Sequence, residues 1–598
     1  MPAAGVLLLA VAAVAYILRA SLRRAFVCFL GVWMFVPGTL VVPNGFTSYL
    51  TMVRIVLVVF LASLAARAAR GEIPTRVFRP TPLHAVFAVF LVVTFVNGVA
   101  TSTGLNPLGG AYREWIRLLD QALFLVATLA ALRAIGDTRW VARVVAGMLV
   151  GLLGIALLER LTGISWAQWF FHGLREQRVS PPAFGLERRG GTGPVRVRAS
   201  TAFALEFAWL CATLLPLLIV VVARSRRRVT LLVLPLFGAV IVWTNARSVF
   251  LGLGAGAIVL LLTAARDRRV VQIAGAGLAL GLLVALSYPG LRSEFAGKPQ
   301  QGSVEVRHSR IALTSELAAH RPWQGLGFGG LKQLGVATTD FTYLLLYAEV
   351  GVLGLAVFVI LGMTALASAA AGLRGPPSAD RALAAAATAG VLTALIGAGA
   401  FDLLQRPAAS GALWLMTALG IVVAERSGPT PWPRPTRVGA ALPAVGAAMG
   451  LGLFALAPSH AVTHLVYETR SPASLSVQEG FPLYVNNVLS KTTCSLLAGA
   501  EDGWPDARLE CEPLLQGSDA GRIRVEAHTI GAVRTVSQSA TRFVKAQIPS
   551  FATHTEPIER GKPTWARTAP LWLSIAGLAV WLLVPLRRRR VKDGSTAR

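Results

Sequence analysis

Apolar runs long enough to cross a bilayer recur from the first residues of this chain to about residue 458, and one more covers residues 569–586. A helix of about 20 apolar residues matches a hydrocarbon core about 30 Å thick. Lipid offers no hydrogen bonds to the backbone, so runs of this length must satisfy their N–H and C=O groups internally, as helices. About fifteen candidate spans can be drawn at that length. With 54% hydrophobic residues, 14% charged residues and a mean hydropathy of +0.61, a soluble globular enzyme is excluded. The expected fold is an all-α polytopic membrane protein, with a small α+β extracytoplasmic domain near the C-terminus.

The formal charge of +28 raises the question of nucleic acid. The arginines, however, are dispersed through short connections between apolar runs and form no basic domain, so they read as topology and not as a nucleic-acid surface. If Arg587 to Arg590 are cytoplasmic, counting backwards places Arg426/Arg434/Arg437, Arg374/Arg381, Arg266/Arg268/Arg269, Arg224/Arg226/Arg227/Arg228, Arg133/Arg139/Arg143, Arg67/Arg70/Arg76/Arg79 and Arg19/Arg23/Arg24 on the same side. The positive-inside rule asks for that arrangement. Segments 162–204, 289–341 and 459–568 then all face outward, and the chemistry with them. The first run lacks a basic leader and is expected to be a retained span.

Cys28 and Cys211 lie in apolar runs as small core residues. Cys494 and Cys511 both fall in the outer segment, where a disulfide between them is permitted. The sequence holds no Gly-Lys-Ser/Thr loop, no His-Glu-x-x-His and no cysteine cluster. Gly325, Gly327 and Gly330 satisfy Gly-x-Gly-x-x-Gly, but no strand precedes them, so they suit a tight turn or a close backbone approach to a ligand. His460 and His464 lack further ligands nearby. No cofactor is expected.

The most distinctive stretch is Arg307 to Gly354, a polar, Arg- and Gly-rich loop that runs into an apolar helix. If 307–321 is helical, Arg307, Arg310, Thr314, Leu317 and Arg321 share one stripe. Three guanidinium groups so placed suit a phosphate-bearing ligand, or equally the lipid headgroups of the bilayer surface. Elsewhere Arg196 and Arg198 arrive just before an apolar run that opens with Ser200, Thr201 and Glu206. Arg247 stands at a very short turn between two runs, where an arginine needs water, a carboxylate or a phosphate. Arg117 and Asp120, three apart on one helix face, are expected to pair. Asp402 and Arg406 share a short outer turn, where they either line the outer cavity or, the favoured expectation, form a local ion pair.

These segments resemble the bacterial superfamily of O-antigen ligases and polysaccharide polymerases. The resemblance is carried by Arg198 in RVRASTAF, Arg247 in TNARSVFLGLG, and the loop containing His320-Arg321-Pro322-Trp323-Gln324-Gly325-Leu326-Gly327, then Asp340-Phe341-Thr342-Tyr343-Leu344, then Glu349-Val350-Gly351-Val352-Leu353-Gly354. An extra Arg interrupts the first motif. Asp340 stands where ligases of the family carry His and where polymerase-like members can carry Asp. The resemblance covers residues 1–425 and implies a metal-independent membrane glycosyltransferase whose donor is a polyprenyl-diphosphate-linked oligosaccharide and whose acceptor is a glycan. It implies diphosphate or glycan binding by Arg198, Arg307, Arg310, Arg321 and Tyr343, with Arg247 stabilising the leaving diphosphate. Asp340 would be the base and Glu349 a support to an arginine from within the membrane. Asp340 also stands where a helix N-cap is expected, and Tyr343 also fits aromatic helix packing.

The Pro-rich residues 426–437 mark a cytoplasmic linker, followed by a span at 438–458. In 459–568, runs such as SLSVQ, PLYVNN, ARLECEPL and RIRVEAH read as strands and GAVRTVSQSATRFVKAQI as an amphipathic helix. That outer domain, with a span at 569–586 and a basic tail at 587–598, is similar in architecture to the polysaccharide chain-length determinant family. Polysaccharide assembly proteins are therefore possible partners, besides the lipid bilayer itself.

Overall fold

The computed structural model describes residues 2–38, 51–101, 109–165, 187–188, 195–287 (202, 226, 227, 245, 247, 265 and 266 excepted), 311, 314, 318, 322–333, 341–374, 379–427, 460–469, 507–512, 520–527, 538, 551–555 and 559–561. These are mostly helical. Six helices precede residue 163, as the apolar runs predict: α1 (Pro2–Arg19), α2 (Leu22–Phe35), α3 (Met52–Ala69), α4 (Pro82–Thr101), α5 (Gly109–Ile135) and α6 (Thr138–Thr162). Then come α7 (Ala204–Arg224), α8 (Val233–Thr244), α9 (Ser248–Thr263), α10 (Arg268–Ser287), the short α11 (Gly330–Gln333), α12 (Thr342–Ala370), α13 (Ala379–Ala398) and α14 (Pro407–Arg426). Among the described residues seven helices, α3, α5, α6, α7, α12, α13 and α14, are long and apolar enough to cross a membrane, and four shorter apolar helices accompany them. The chain is thus membrane-embedded. The expected runs at 438–458 and 569–586 lie outside the described residues.

Local chemistry sets the helix ends. Asp137 caps α6 by accepting the Trp140 N–H at 2.9 Å. Gly163 closes it in the left-handed conformation, φ 68°. Pro407 opens α14, where a missing N–H costs nothing. Burial ranks the helices: 89% of the apolar window of α14, 83% of that of α7 and 78% of that of α13 is inside, against 33% for α3. The first three form the centre, and α3 turns most of its surface outward. Small residues allow close approach between helices, with Gly252 and Gly256 of α9 set against Trp209 and Thr393. Cys211 is buried and Cys28 half-buried, both free, as expected of small core residues.

One end of the bundle gathers the basic clusters. Arg67 donates to the Ala20 carbonyl at 2.5 Å, and Arg23, Arg139 and Arg224 pair with Asp137, Asp380 and Asp267 at 3.9, 3.4 and 3.6 Å. Arg133 forks onto Glu425 at 2.5 and 2.9 Å and also reaches the carbonyls of Val77 and Arg79 at 3.0 and 2.6 Å. It ties α5 to α14 and to the 77–79 turn. Removing one partner of a mostly buried pair strands the other, so Arg133→Ala should cost about 3 kcal/mol, read as a lower unfolding midpoint in detergent. Arg139→Ala, at an exposed pair, should cost less than about 1 kcal/mol.

The intrahelical pairing expected of Arg117 and Asp120 is not what forms. Arg54 of α3 reaches across to Asp120 at 2.5 Å, and Arg117 bonds Glu114 at 3.1 Å. A carboxylate between two helices is closer to the neighbouring helix's guanidinium than to one three residues back on its own.

Strands are few. In the 162–204 segment β1 (Glu187–Arg188) pairs antiparallel with β2 (Val195–Arg196). Beyond residue 459, β3 (His460–Thr469), β4 (Ala507–Glu512), β5 (Ala520–Ala527), β6 (Phe551–Thr555) and β7 (Glu559–Gly561) pair antiparallel in the order β4-β5-β3-β6, with β7 also on β3. The runs ARLECE and RIRVEA are strands as expected, whereas β3 was not foreseen. Cys511 stands opposite Ile523. Cys494, the runs at 474–487 and the helix expected over 531–548 lie outside the described residues.

Candidate functional site at the polar end of the bundle

The opposite end of the bundle is built from chain segments far apart in sequence. Arg198 is buried, 2% exposed, and its Nη2 donates to Ser165 Oγ at 3.2 Å. Its backbone is fixed from several sides. The N–H groups of Arg198 and Ala199 both donate to Glu159 Oε2, at 3.0 and 2.7 Å, and the Val197 N–H reaches the Trp243 carbonyl at 3.3 Å. Arg196 Nε donates to the Thr244 carbonyl at 2.9 Å, and Ser200 Oγ donates to the Met34 carbonyl at 2.5 Å. The segment before α7 is therefore tied to the end of α8, whose last residue, Thr244, stands three positions before Arg247 in the sequence.

The second component is a break within α12. Gly351 has φ 73° and ψ −172°, which interrupts the helix nine residues after it begins. That conformation is close to glycine-only. A break inside a span would strand backbone groups in lipid, at several kcal/mol each. Here the loop 322–328 supplies the partners: the N–H groups of Leu326 and Gly327 donate to the carbonyls of Ala348 and Glu349, and the Val352 N–H donates to the Pro322 carbonyl, each at 2.8 Å. Gly325, at φ 66°, lies so close to the Glu349–Val350 peptide that a Cβ would overlap it. A Cβ on Gly351 would likewise overlap the Trp323 carbonyl. Gly325, one of the glycines expected to allow a close approach, thus does so, but toward the backbone of α12. Asn97 of α4 holds the loop from the other side, donating to the Gln324 carbonyl at 2.5 Å and accepting the Phe328 N–H at 2.9 Å.

The 399–406 turn joins these parts. Thr342 Oγ1 donates to the Phe401 carbonyl and accepts the Leu403 N–H, both at 2.8 Å. Glu206 of α7 accepts the Ala408 N–H at 3.0 Å. The local ion pair expected between Asp402 and Arg406 is replaced by stacking, because the Arg406 guanidinium lies 3.9 Å from the centre of the Phe203 ring. Asp402 is buried.

Of the residues singled out by sequence, Arg198, Tyr343 and Glu349 are described. Arg247, Arg307, Arg310, Arg321 and Asp340 lie outside the described residues. Thr314, expected from the sequence to share the stripe of Arg307, Arg310 and Arg321, is fully buried. Glu349 is buried at the break, and its carbonyl accepts the Gly327 N–H. Tyr343 donates its hydroxyl to the Leu395 carbonyl at 2.8 Å and packs its ring 5.7 Å from that of Phe358, so it serves helix packing. Glu159 and Asn97 were not singled out as site residues, since their partners stand 39 to 231 residues away.

A cavity of about 60 Å³ opens among Trp33, Arg54, Arg117, Asp120, Gln121 and Phe124. It has room for about two water molecules and is too small for a sugar ring. Gln121 is already spent on the Leu404 carbonyl and the Trp414 indole, at 2.5 and 3.0 Å.

What the polar end offers chemically is a buried guanidinium on a fixed backbone and, in another of its segments, a loop that hydrogen-bonds into a broken helix. Compared with known proteins, the chain matches no family model and no curated protein.

Proposed function

We propose that this chain is a metal-independent membrane glycosyltransferase. It would polymerise or transfer polyprenyl-diphosphate-linked oligosaccharide units at the outer face of the cytoplasmic membrane. The observation that carries this reading is Arg198, buried and fixed by Glu159 and Ser165, in a segment that Arg196 ties to the last residue of α8. A guanidinium held out of water suits a departing lipid diphosphate, because charge developing in a desolvated site meets a donor already in place, and Arg247, three residues after α8 in sequence, would add a second. In the reaction, an acceptor hydroxyl oxygen bonds to the donor's anomeric carbon. The bond from that carbon to the diphosphate oxygen breaks, and the electron pair leaves with the diphosphate. The hydroxyl proton passes to Asp340, two residues before the helix start that Thr342 pins to the 401–403 turn. One or more of Arg307, Arg310 and Arg321 would complete the anion site, and Glu349 would support an arginine from within the membrane. Ligase-like transfer to a lipid or protein acceptor would use the same groups. Residues 459–568 form the outer α+β domain in this reading.

A second reading is favoured by one observation. Interrupted helices near a membrane site are typical of secondary transporters, and α12 is interrupted at Gly351.

Product analysis in proteoliposomes supplied with lipid-linked repeat units separates the two. Wild type should extend the glycan, while Asp340→Asn and Arg247→Ala, folded and inserted, should lose extension. Sugar flux without new glycan would reject the transferase. Normal extension by Asp340→Asn would leave Asp340 as a helix cap. Deleting 459–568 should preserve bond formation and broaden product lengths on a gel, and unchanged lengths would remove any role in measuring chains.

A further inference from the structure

We infer that Glu159 is a positioning residue that sets Arg198 for its anionic ligand, an assignment that rests on the transferase reading for the identity of that ligand alone. Glu159 stands in the last turn of α6, 2% exposed, and one of its oxygens accepts two consecutive N–H groups, those of Arg198 and Ala199, at 3.0 and 2.7 Å. Two successive N–H groups converging on one point form a small anion nest, and here the chain fills it with its own carboxylate.

The nest exists because Ala199 has φ 48°, the one non-glycine at positive φ among the described residues. Such a conformation is costly for alanine and persists only where the surroundings fix it. The surroundings do so here: Thr201 returns its N–H to the Arg198 carbonyl at 3.0 Å, and Ser200 is tied to α2. The turn in the backbone at Ala199 determines where the Arg198 side chain leaves it. Without the carboxylate, two buried N–H groups lose their acceptor and the turn loses its reason to hold. Ser165, which receives the Arg198 guanidinium at 3.2 Å, lies six residues beyond Glu159, past the Gly163 cap. The end of α6 therefore holds both the backbone and the side chain of Arg198.

The test labels full-length protein in nanodiscs with phenylglyoxal, an arginine-selective reagent, and follows each arginine by mass spectrometry. In wild type Arg198 should react slowly. In Glu159→Ala its labelling should rise about tenfold, as expected when charge-assisted bonds of this kind are lost. The mostly buried Arg67 and Arg133 at the opposite end should stay slow. Glu159→Gln keeps an oxygen able to accept both N–H groups and should stay close to wild type. Unchanged Arg198 labelling in Glu159→Ala would overturn the assignment. So would a rise shared equally by Arg67 and Arg133, since that reports general loosening.

Binding of a polyprenyl diphosphate to the same samples, titrated by native mass spectrometry, supplies the functional arm. Glu159→Ala should weaken it about tenfold. The double variant with Arg198→Ala should bind no more weakly than Arg198→Ala alone, because Glu159 acts through Arg198. Additive losses would overturn the positioning role. A wild type that binds no polyprenyl diphosphate would instead overturn the transferase reading, and the labelling pattern would still decide the place of Glu159.

Discussion

Gly351→Ala is expected to lower the stability of the membrane domain by at least about 3 kcal/mol. Three causes act together. An alanine at φ 73°, ψ −172° meets a backbone conformation costing about 1–3 kcal/mol outside glycine. Its Cβ would overlap the Trp323 carbonyl and the Gln324 amide, neither of which can swing aside as a flexible side chain could. Relief by withdrawal of the loop would break the bonds from Val352, Gly327 and Leu326, leaving backbone groups of a spanning helix unpaired. Gly254→Ala in α9 is the control, because no atom lies within 4 Å of its Cβ position. That variant should match wild type or gain a few tenths of a kcal/mol from helix propensity. The measurement is the unfolding midpoint in detergent, together with protease sensitivity of the 322–328 loop. Equal midpoints for the two variants would mean that the loop does not depend on the break.

The second large effect is expected at Arg198. Removing one fixed donor from a site that stabilises developing negative charge costs about 100- to 1000-fold in rate, and Arg198→Ala should reduce glycan transfer by that order. Arg198→Lys should recover only part of it, since an ammonium keeps the charge and loses the planar fork that meets a diphosphate with two bonds. The decisive comparison is transfer per folded molecule, with Arg139→Ala as a variant of equal charge change at an exposed pair. Transfer that falls equally in both would reduce the effect to net charge and remove Arg198 from the site.

If the loop and the broken helix form the wall facing Arg198, Gly351→Ala should also reduce transfer beyond its loss of folded protein. A variant that lost stability alone would confine the break to a structural role.

The local pattern of the chain determined a good deal. Runs of apolar residues bounded by arginines determined the six helices before residue 163, the short turn after α8 and the three helices from Thr342 to Arg426. The arginine clusters determined which helix ends lie together, because a charge at the end of a span must reach water or a partner. Gly325, Gly327 and Gly330 stood out in the sequence as suited to a tight turn or a close backbone approach. Only the tertiary structure decided what those glycines are for. Gly351 and Gly325 permit two backbones to hydrogen-bond where one would otherwise leave groups unpaired in lipid. It also decided that Asp120 belongs to Arg54 and not to Arg117, that Tyr343 spends its hydroxyl on α13, and that Glu159 and Asn97 hold segments 39 to 231 residues away. The physical reason is common to all of these. Periodicity and composition report how one element divides its faces between lipid and protein, whereas a hydrogen bond between distant segments depends on how whole helices dock, and no residue carries that information alone.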